Sequence, residues 1–600
     1  MYARLRALDS RARVQGITTL RKEDDPLIPI GMETDAAGCV TRSAYGVFNL
    51  AWQAEQHPEW PAVVEAEVNG IRTAIRAAHK TPLRFLLWCA SGAEDKAMYQ
   101  AAGLLRRGPR LYIIDSTDPV KLRTAFEDIE RRHGLSITAV LRSMLVIGVG
   151  DGASQTPVMN LEKIANLYER YAVDPRPNFL YMARDASPLA AAGLERGWMR
   201  AELQLDNADS VAARHSGPLT RASLYPLALA KADLSSWIAG AFLEEDDIQT
   251  AWRLGAFIHA HGMAGRDKLT LLLPRAWAGA GPWTKHGLEE SVAKCAEVGF
   301  RVALATKPKL ANYHSPKDAT QDRVFLAVQV KGLDGPDAQK IAALRRAGYP
   351  VAVAGFATGA TLSRYMQFIH YTAFGLAYLR GVNFGTQPSV DAFQATANCL
   401  HSQSQAAGGV ERTAQWQTML KSPRQARHCG IVTLHCDRLC VEVDVRHTSA
   451  PEMYAAVLRK LGGERAMDAA ELAFFGDTRY SPAGVAVRKV IERAAERIFR
   501  ARLKMPVDVL EAPAMHLPSH ELAGGARCLS TLIVNEKPEQ FPAARYAPDH
   551  HMAQFLAAYG MLAGRGRPVV AVTLKNLGEE SLAALDDFFH RTAACLKARV

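Results

Sequence analysis

The stretch RFLLWCASGAEDKAMYQAAGLLRRGPRLYIIDSTDPVKLRTAFEDIERRHG, residues 84–134, decides the fold class. It opens on an apolar run, Arg84–Ala90, and returns to a second at Arg110–Asp115, after which Lys121–Arg132 has helical period. Runs this short, apolar at consecutive positions and separated by helices, read as strands buried on both faces of a parallel sheet. The alternation continues outward from this stretch. Met144–Gly148 and Asn178–Ala183 follow, then, past a helical middle, Lys268–Leu273, Phe300–Ala305, Arg323–Val330 and Pro350–Gly355. Gly430–His435, Val507–Glu511, Cys528–Val534 and Pro568–Leu574 complete the set, and Pro336–Ala347 reads as a covering helix. The strands fall into two groups, 84–183 and 268 onward. An α/β chain is therefore expected, with two doubly wound parallel-sheet lobes: a helical N-terminal cap over 1–80, a first lobe over 81–250, and a second lobe with a C-terminal extension over 251–600. Any ligand site is expected in a crevice at the strands' carboxyl ends. The polar stretch 401–425 reads as a surface connection.

Bulk properties exclude several classes. A chain of 600 residues is too long for one core, and 48% hydrophobic with 22% charged residues is ordinary globular composition. No apolar run reaches bilayer length, and the basic N-terminus MYARLRALDSRARVQG lacks the apolar core of a secretion signal, so a cytoplasmic protein without membrane contact is expected. Nine cysteines without a CxxC pair suit a reducing compartment better than a disulfide framework. The net charge of +11 is spread without a dense Lys/Arg block. Its summed field favours anionic substrates, weak attraction to nucleic acid reads from it equally well, and no dedicated nucleic-acid partner is expected. His428, Cys429, His435, Cys436 and Cys440 lie close in sequence, but their spacing matches no common zinc site and strand alternation sends neighbours to opposite faces. They read as structural, and no metal is expected.

Five features carry possible chemistry. In WTKHGLEESVAKCAE, residues 283–297, His286, Glu290 and Lys294 recur every four residues and share one helical face. A carboxylate between a His and a Lys suits a tuned proton carrier, and a solvated salt-bridge face reads from the same spacing. His516 lies between two expected strands, where an imidazole can act as acid or base or be incidental. The loop IGVGDGASQTP after the Met144 strand offers small residues for anion approach, with Asp151 opposing it. Gly381–Gln394 carries a helix break at Asn383, Gly385 and Pro388. Arg214, in AARHSGPLT, is placed to stabilise developing negative charge or to be merely exposed.

The order of these features resembles the glucose-6-phosphate isomerase family, most nearly the isomerase half of the fused transaldolase/glucose-6-phosphate isomerases. DSTDP at 115–119 resembles the family's LHVLDSTDP segment, and GRDKLTLLLP at 265–274 its GRDKLTLLTSP strand. DRVF at 322–325 and RGRPVVAVTL at 565–574 fall in the expected places, so the likeness spans roughly residues 80–590. It implies two sugar-isomerase (SIS) lobes, a sugar-phosphate substrate, aldose–ketose isomerisation through a cis-enediolate, no cofactor, and a homodimer. Carried over by position, the family's AESTGK helix falls on EESVAK and places its catalytic carboxylate on Glu290. LHSTGQLHKGG falls on MHLPSHELAGG and places the ring-opening imidazole on His516. GGRFS falls on AARHS and its arginine on Arg214. The FDQPxVEASK element falls on GTQPSVDAFQ and keeps Gln387 for the substrate, while the two phosphate loops fall on WCASGA and VGDGASQT, leaving Ser91, Ser154 and Thr156 as hydroxyl donors.

The departures are specific. Gln394 stands where the family has a lysine, Ala293 where it has glycine, and Asp151 where it has the phosphate-loop lysine. A non-catalytic sugar-binding or regulatory protein on the same fold is the alternative these changes favour. Exchanging Lys for Asp reverses the local field, so Asp151→Lys is expected to tighten sugar-phosphate binding, measured by calorimetric titration; unchanged affinity would mean that this loop does not face the anion.

Overall fold

The computed structural model describes the chain except residues 151, 153, 209–216, 296, 305–308, 337, 421–425, 437–448, 523–526 and 598–600. It is α/β, with three larger sheets flanked by helices and one small hairpin. The first sheet holds five parallel strands, Phe85–Cys89, Arg110–Ile114, Met144–Val149, Phe179–Met182 and Met199–Arg200. The middle sheet holds four parallel strands, Lys268–Leu272, Arg301–Leu304, Arg323–Val330 and Val351–Phe356. In the third, Ala469–Phe475, Val507–Ala512, Cys528–Asn535 and Val569–Leu574 run parallel, and the hairpin Ala426–Cys429/Val432–Cys436 adds antiparallel strands at one edge. The expected strands from 268 onward thus divide between two sheets.

All three parallel arrays share one topology. In each, the second strand lies on one side of the first, and the third and fourth lie on the other. Strand order therefore reverses between strands one and three, which opens a crevice at their carboxyl ends. In the first sheet those strands are Phe85–Cys89 and Met144–Val149.

Most strands lie where the apolar runs placed them, because residues buried on both faces leave little choice of register; Met199–Arg200, Ala426–Cys429 and Ala469–Phe475 are not among the expected runs. Their helices start and stop on local signals. Helix Pro119–His133 begins with the Asp118 carboxylate accepting the Val120 N–H at 2.9 Å and ends at Gly134, whose φ of 60° is left-handed. The N-terminal segment is mainly helical, as expected, but includes the hairpin Met32–Thr34/Val40–Ser43. It packs onto the long helix Leu362–Arg380: Phe48 stacks on Tyr371 at 4.3 Å, and Gln367 donates to the Val47 carbonyl. The polar stretch after 401 is largely helical, within Pro388–Ala407 and Ala414–Leu420, rather than a bare connection. Seven of the described cysteines are free and Cys436 is disulfide-bonded.

Buried charge joins the middle sheet to the third. Arg301, at the start of an edge strand, reaches Asp508 Oδ2 at 2.6 Å and Glu471 Oε2 at 3.1 Å, and donates to Cys528 Sγ at 2.9 Å. Glu471 is fully buried and also accepts from Ser519 at 2.5 Å, from Ser530, and from His516 Nε2 at 3.0 Å. Burial alone would raise the Glu471 pKa; His516, Arg301 and Arg567 overcome it and hold the carboxyl well below its usual range. A depressed folded-state pKa gives stability that is present above the unfolded value and lost as pH falls. Glu471→Gln is expected to destabilise the fold by about 3 kcal/mol at neutral pH, because buried Arg301 loses one of its two carboxylate partners and His516 loses its own. The gap in thermal midpoint from wild type should narrow once pH falls below about 4.3, the ordinary glutamate value. A midpoint unchanged at pH 7 would show that Glu471 does not hold the sheets together.

Candidate active site

The helix Ala280–Val292 follows the first strand of the middle sheet and carries the sequence-predicted face. That face is not solvated: Glu290 is 2% exposed and the His286 side chain 14%. Two side chains anchor it. Lys285 Nζ meets Glu289 Oε1 at 2.5 Å and Asp508 Oδ2 at 2.9 Å, while Glu289 Oε1 accepts the Val302 N–H at 2.7 Å. The helix is thereby pinned to the neighbouring strand and to the third sheet at once.

One turn before Glu290, the His286 ring lies between two carboxylates from different parts of the chain. Its Nε2 is 3.0 Å from Glu290 Oε1, and its Nδ1 is 3.2 Å from Glu94 Oε1. Glu94 opens the helix that follows the first strand of the first sheet. Burial by itself would lower the His286 pKa, but the two carboxylates overcome it and hold the ring well above the ordinary imidazole value. Burial likewise opposes ionisation of Glu94, and the His286 charge outweighs it, leaving the Glu94 carboxyl below its usual range. Sequence reading singled out His286 and Glu290; Glu94, far from both along the chain, gave no signal.

A cleft of about 440 Å³ runs beside this group. Glu94, Lys285, His286, Asp508, Met515 and Pro518 line it. It lies where the first-sheet loops, the helix Ala280–Val292 and the carboxyl-end segment after strand Val507–Ala512 meet. His516 belongs to that last segment, as expected, but its ring is 1% exposed and turned to Glu471, and its Nδ1 has no partner. The segment continues into helix Leu517–Glu521, which packs on the helix of Glu290.

The Gln387 segment closes the same region from another side. Lys294 Nζ, one turn past Glu290, donates to the Asn383 carbonyl at 2.6 Å and to that of Thr386. Glu521 Oε1 accepts the N–H groups of Ser389 and Val390 at 2.9 and 3.0 Å, capping the helix Pro388–Ala407 that begins just after Gln387. Burial raises the Glu521 pKa, with Glu290 among the contributing charges, which places the two carboxylates within electrostatic reach. Gln394 lies in the second turn of the same helix and is half-buried.

The two remaining loops meet at the crevice of the first sheet. Ser91 Oγ and Ser154 Oγ are 2.5 Å apart, one beyond the first strand and the other beyond the third. Thr156, buried, starts the helix Thr156–Arg170, and its N–H lies 3.4 Å from Ser154 Oγ. The three expected hydroxyl donors are therefore gathered at one crevice, with Ser91 on the loop that leads into the helix of Glu94. Arg214 and Asp151 lie outside the described residues, as does Cys440. Among the described residues no group of three or more His, Cys, Asp or Glu side chains is arranged to hold a metal ion, and no helix is long and apolar enough to cross a membrane.

No protein-family model matches this chain, and no curated protein does. Among solved structures, a glucose-6-phosphate isomerase from Chlamydia trachomatis is similar over 69% of this chain and 87% of its own, at 15% identity and a TM-score of 0.43. A hypothetical protein from Thermus thermophilus is similar over 60% and 95%, at 16% identity and 0.42. A glucosamine-6-phosphate deaminase from Thermotoga maritima is similar over 54% and 97%, at 10% identity and 0.33. None of these likenesses bears on the site, which rests on its own geometry.

Proposed function

We propose that the protein is an aldose–ketose isomerase of the glucose-6-phosphate isomerase type, interconverting an aldose phosphate and its ketose through a cis-enediolate. The observation that carries this reading is the buried carboxylate of Glu290, 3.0 Å from the ring of His286, which itself lines a cleft between the sheets. A proton carrier for carbon acids works best shielded from water and beside an acid–base partner, and Glu290 has both. In this reading Glu290 takes the proton from C2 of the open-chain sugar and returns it to C1. His516, whose Nδ1 is unpartnered, assists ring opening, and Arg214 stabilises the enediolate oxygen. Ser91, Ser154, Thr156 and Gln387 orient the phosphate end, with the two serines at the crevice where strand order reverses. Residues 1–80 act as the cap, 81–250 as the first lobe, and 251–600 as the second lobe with its extension; the working unit is a cytoplasmic homodimer.

One observation favours a second reading, a sugar or sugar-phosphate binding protein without turnover. Gln394 removes a cation that the resembled family places beside its substrate, and the Ser91 and Ser154 hydroxyls bond each other, which uses one of their two O–H donors. A coupled assay of fructose 6-phosphate to glucose 6-phosphate conversion separates the two. Turnover is expected, and Glu290→Gln is expected to lower kcat by about 100-fold or more. Absent turnover, with the thermal midpoint raised by sugar phosphates, would establish the binding protein instead.

A further inference from the structure

We infer that His286 moves the oxygen-bound protons of the substrate, with Glu94 as its positioning residue; this rests on the isomerase reading. The proton borne by carbon is only half of an aldose–ketose conversion. The oxygens at C1 and C2 must also exchange a proton, and the enediolate that forms between them needs an acid close by. Where the resembled family places a lysine for charge balance, this chain has Gln394. Of the three linked side chains, His286 and Glu94 line the cleft, whereas Glu290 lies one helical turn further on.

The ring is set for this task by its contacts. Nε2 is engaged by Glu290 at 3.0 Å. Nδ1 lies 3.2 Å from Glu94 Oε1, and both residues line the cleft, so a ligand oxygen entering there meets Glu94 and the Nδ1–H edge together and can take the proton that Glu94 holds in place. The other charges about the ring cancel in pairs. On its own helix Lys285 is matched to Asp508 of the third sheet, and at the rim Arg488 is matched to Glu492. Arg500, also at the rim, lies 3.7 Å from Glu496. Arg479 adds to the field that keeps Glu94 ionised. The ring's charge is therefore set by the two carboxylates that flank it.

The step balances. Glu290 takes the proton from C2, the C2–H electrons form the C1–C2 double bond, and the carbonyl pair moves to O1, which takes the Nδ1 proton of His286 to give the neutral enediol. The now neutral imidazole takes the O2 proton, the C2–O2 carbonyl forms, and the double-bond pair takes the proton held by Glu290 at C1. Glu290 ends as a carboxylate and His286 as an imidazolium, as both began. No other reactant is consumed.

The test is the coupled assay on wild type, His286→Gln and Glu94→Gln across pH. His286→Gln is expected to lower kcat by about 100-fold with KM nearly unchanged, the loss of an acid acting in the transition state. Removing the Glu94 carboxylate lowers the imidazolium pKa, so the alkaline limb of the Glu94→Gln profile should move down by about one pH unit or more. A His286→Gln kcat within about threefold of wild type overturns the inference and leaves the isomerase reading standing. An alkaline limb unmoved by Glu94→Gln overturns it as well. If His286→Gln fails to fold by circular dichroism, the Glu94→Gln profile decides alone. Wild type without turnover overturns the isomerase reading and this inference with it.

Discussion

Arg301 carries a guanidinium that does not lose its proton in a protein, and it carries it into the buried joint between two sheets. Once buried, that charge dictates its neighbours. Asp508 and Glu471 come from two adjacent strands of another sheet, and each is itself engaged again, by Lys285 and by His516. The result is one connected chain of charge from the helix of Glu290, across the joint between sheets, to the segment of His516. Such a chain adds little net stability over a well-packed apolar joint, because desolvation offsets most of the attraction. What it supplies is position. An apolar joint tolerates sliding by a fraction of a side chain, whereas these partners must meet within hydrogen-bond distance. The cleft, whose walls belong to separate sheets, needs that constraint.

The three parallel arrays share a strand order, and yet their carboxyl ends are used differently. In the middle sheet the loops after strands one and three are tied by a backbone bond, Arg275 N–H to the Asp334 carbonyl at 3.0 Å. In the third, the loop after the first strand receives the acidic turn of the first sheet: Asp118 accepts the Asp477 N–H at 3.0 Å, and Arg479 meets Asp115 at 2.9 Å, while Lys121 joins Asp115 to Glu511. The fit there is close. A Cβ at Gly484 would lie 1.6 Å from the Asp477 carbonyl oxygen, so only glycine lets the following helix close over that loop. In the first sheet, by contrast, two hydroxyls face one another across the crevice.

What the sequence reveals and what it hides follow from the same physics. Strands of the first and middle sheets, the two-residue Met199–Arg200 apart, are legible because they are runs of consecutive apolar residues. Ala469–Phe475, the first strand of the third sheet, escapes that reading, since AAELAFF combines alanines with a charge. The interrupting residue is Glu471, the hub that joins the sheets: its burial makes sense only with Arg301, Ser519, Ser530 and His516 in view, none of them local. The face of Glu290 and His286 is legible as a pattern but not as an environment. Spacing places the two side chains together; it does not say that Glu94 arrives from the first sheet to turn an ordinary surface pair into a buried one.

That arrival alters the charge balance of the site. Two acidic side chains flank a single imidazole there, a poor host for a phosphate dianion at close range. The hydroxyls of Ser91 and Ser154 belong to the first-sheet crevice and His286 to the helix of the middle sheet, which on the proposed reading separates an anion-binding end from a proton-transfer end. A dianion placed at the crevice gains from helix N–H groups and hydroxyls rather than from lysine. The cost of its nearness to Glu94 falls with distance and with the compensating charge of His286. On that reading the site grips phosphate less strongly than one lined by lysine and depends correspondingly more on the sugar hydroxyls at the imidazole.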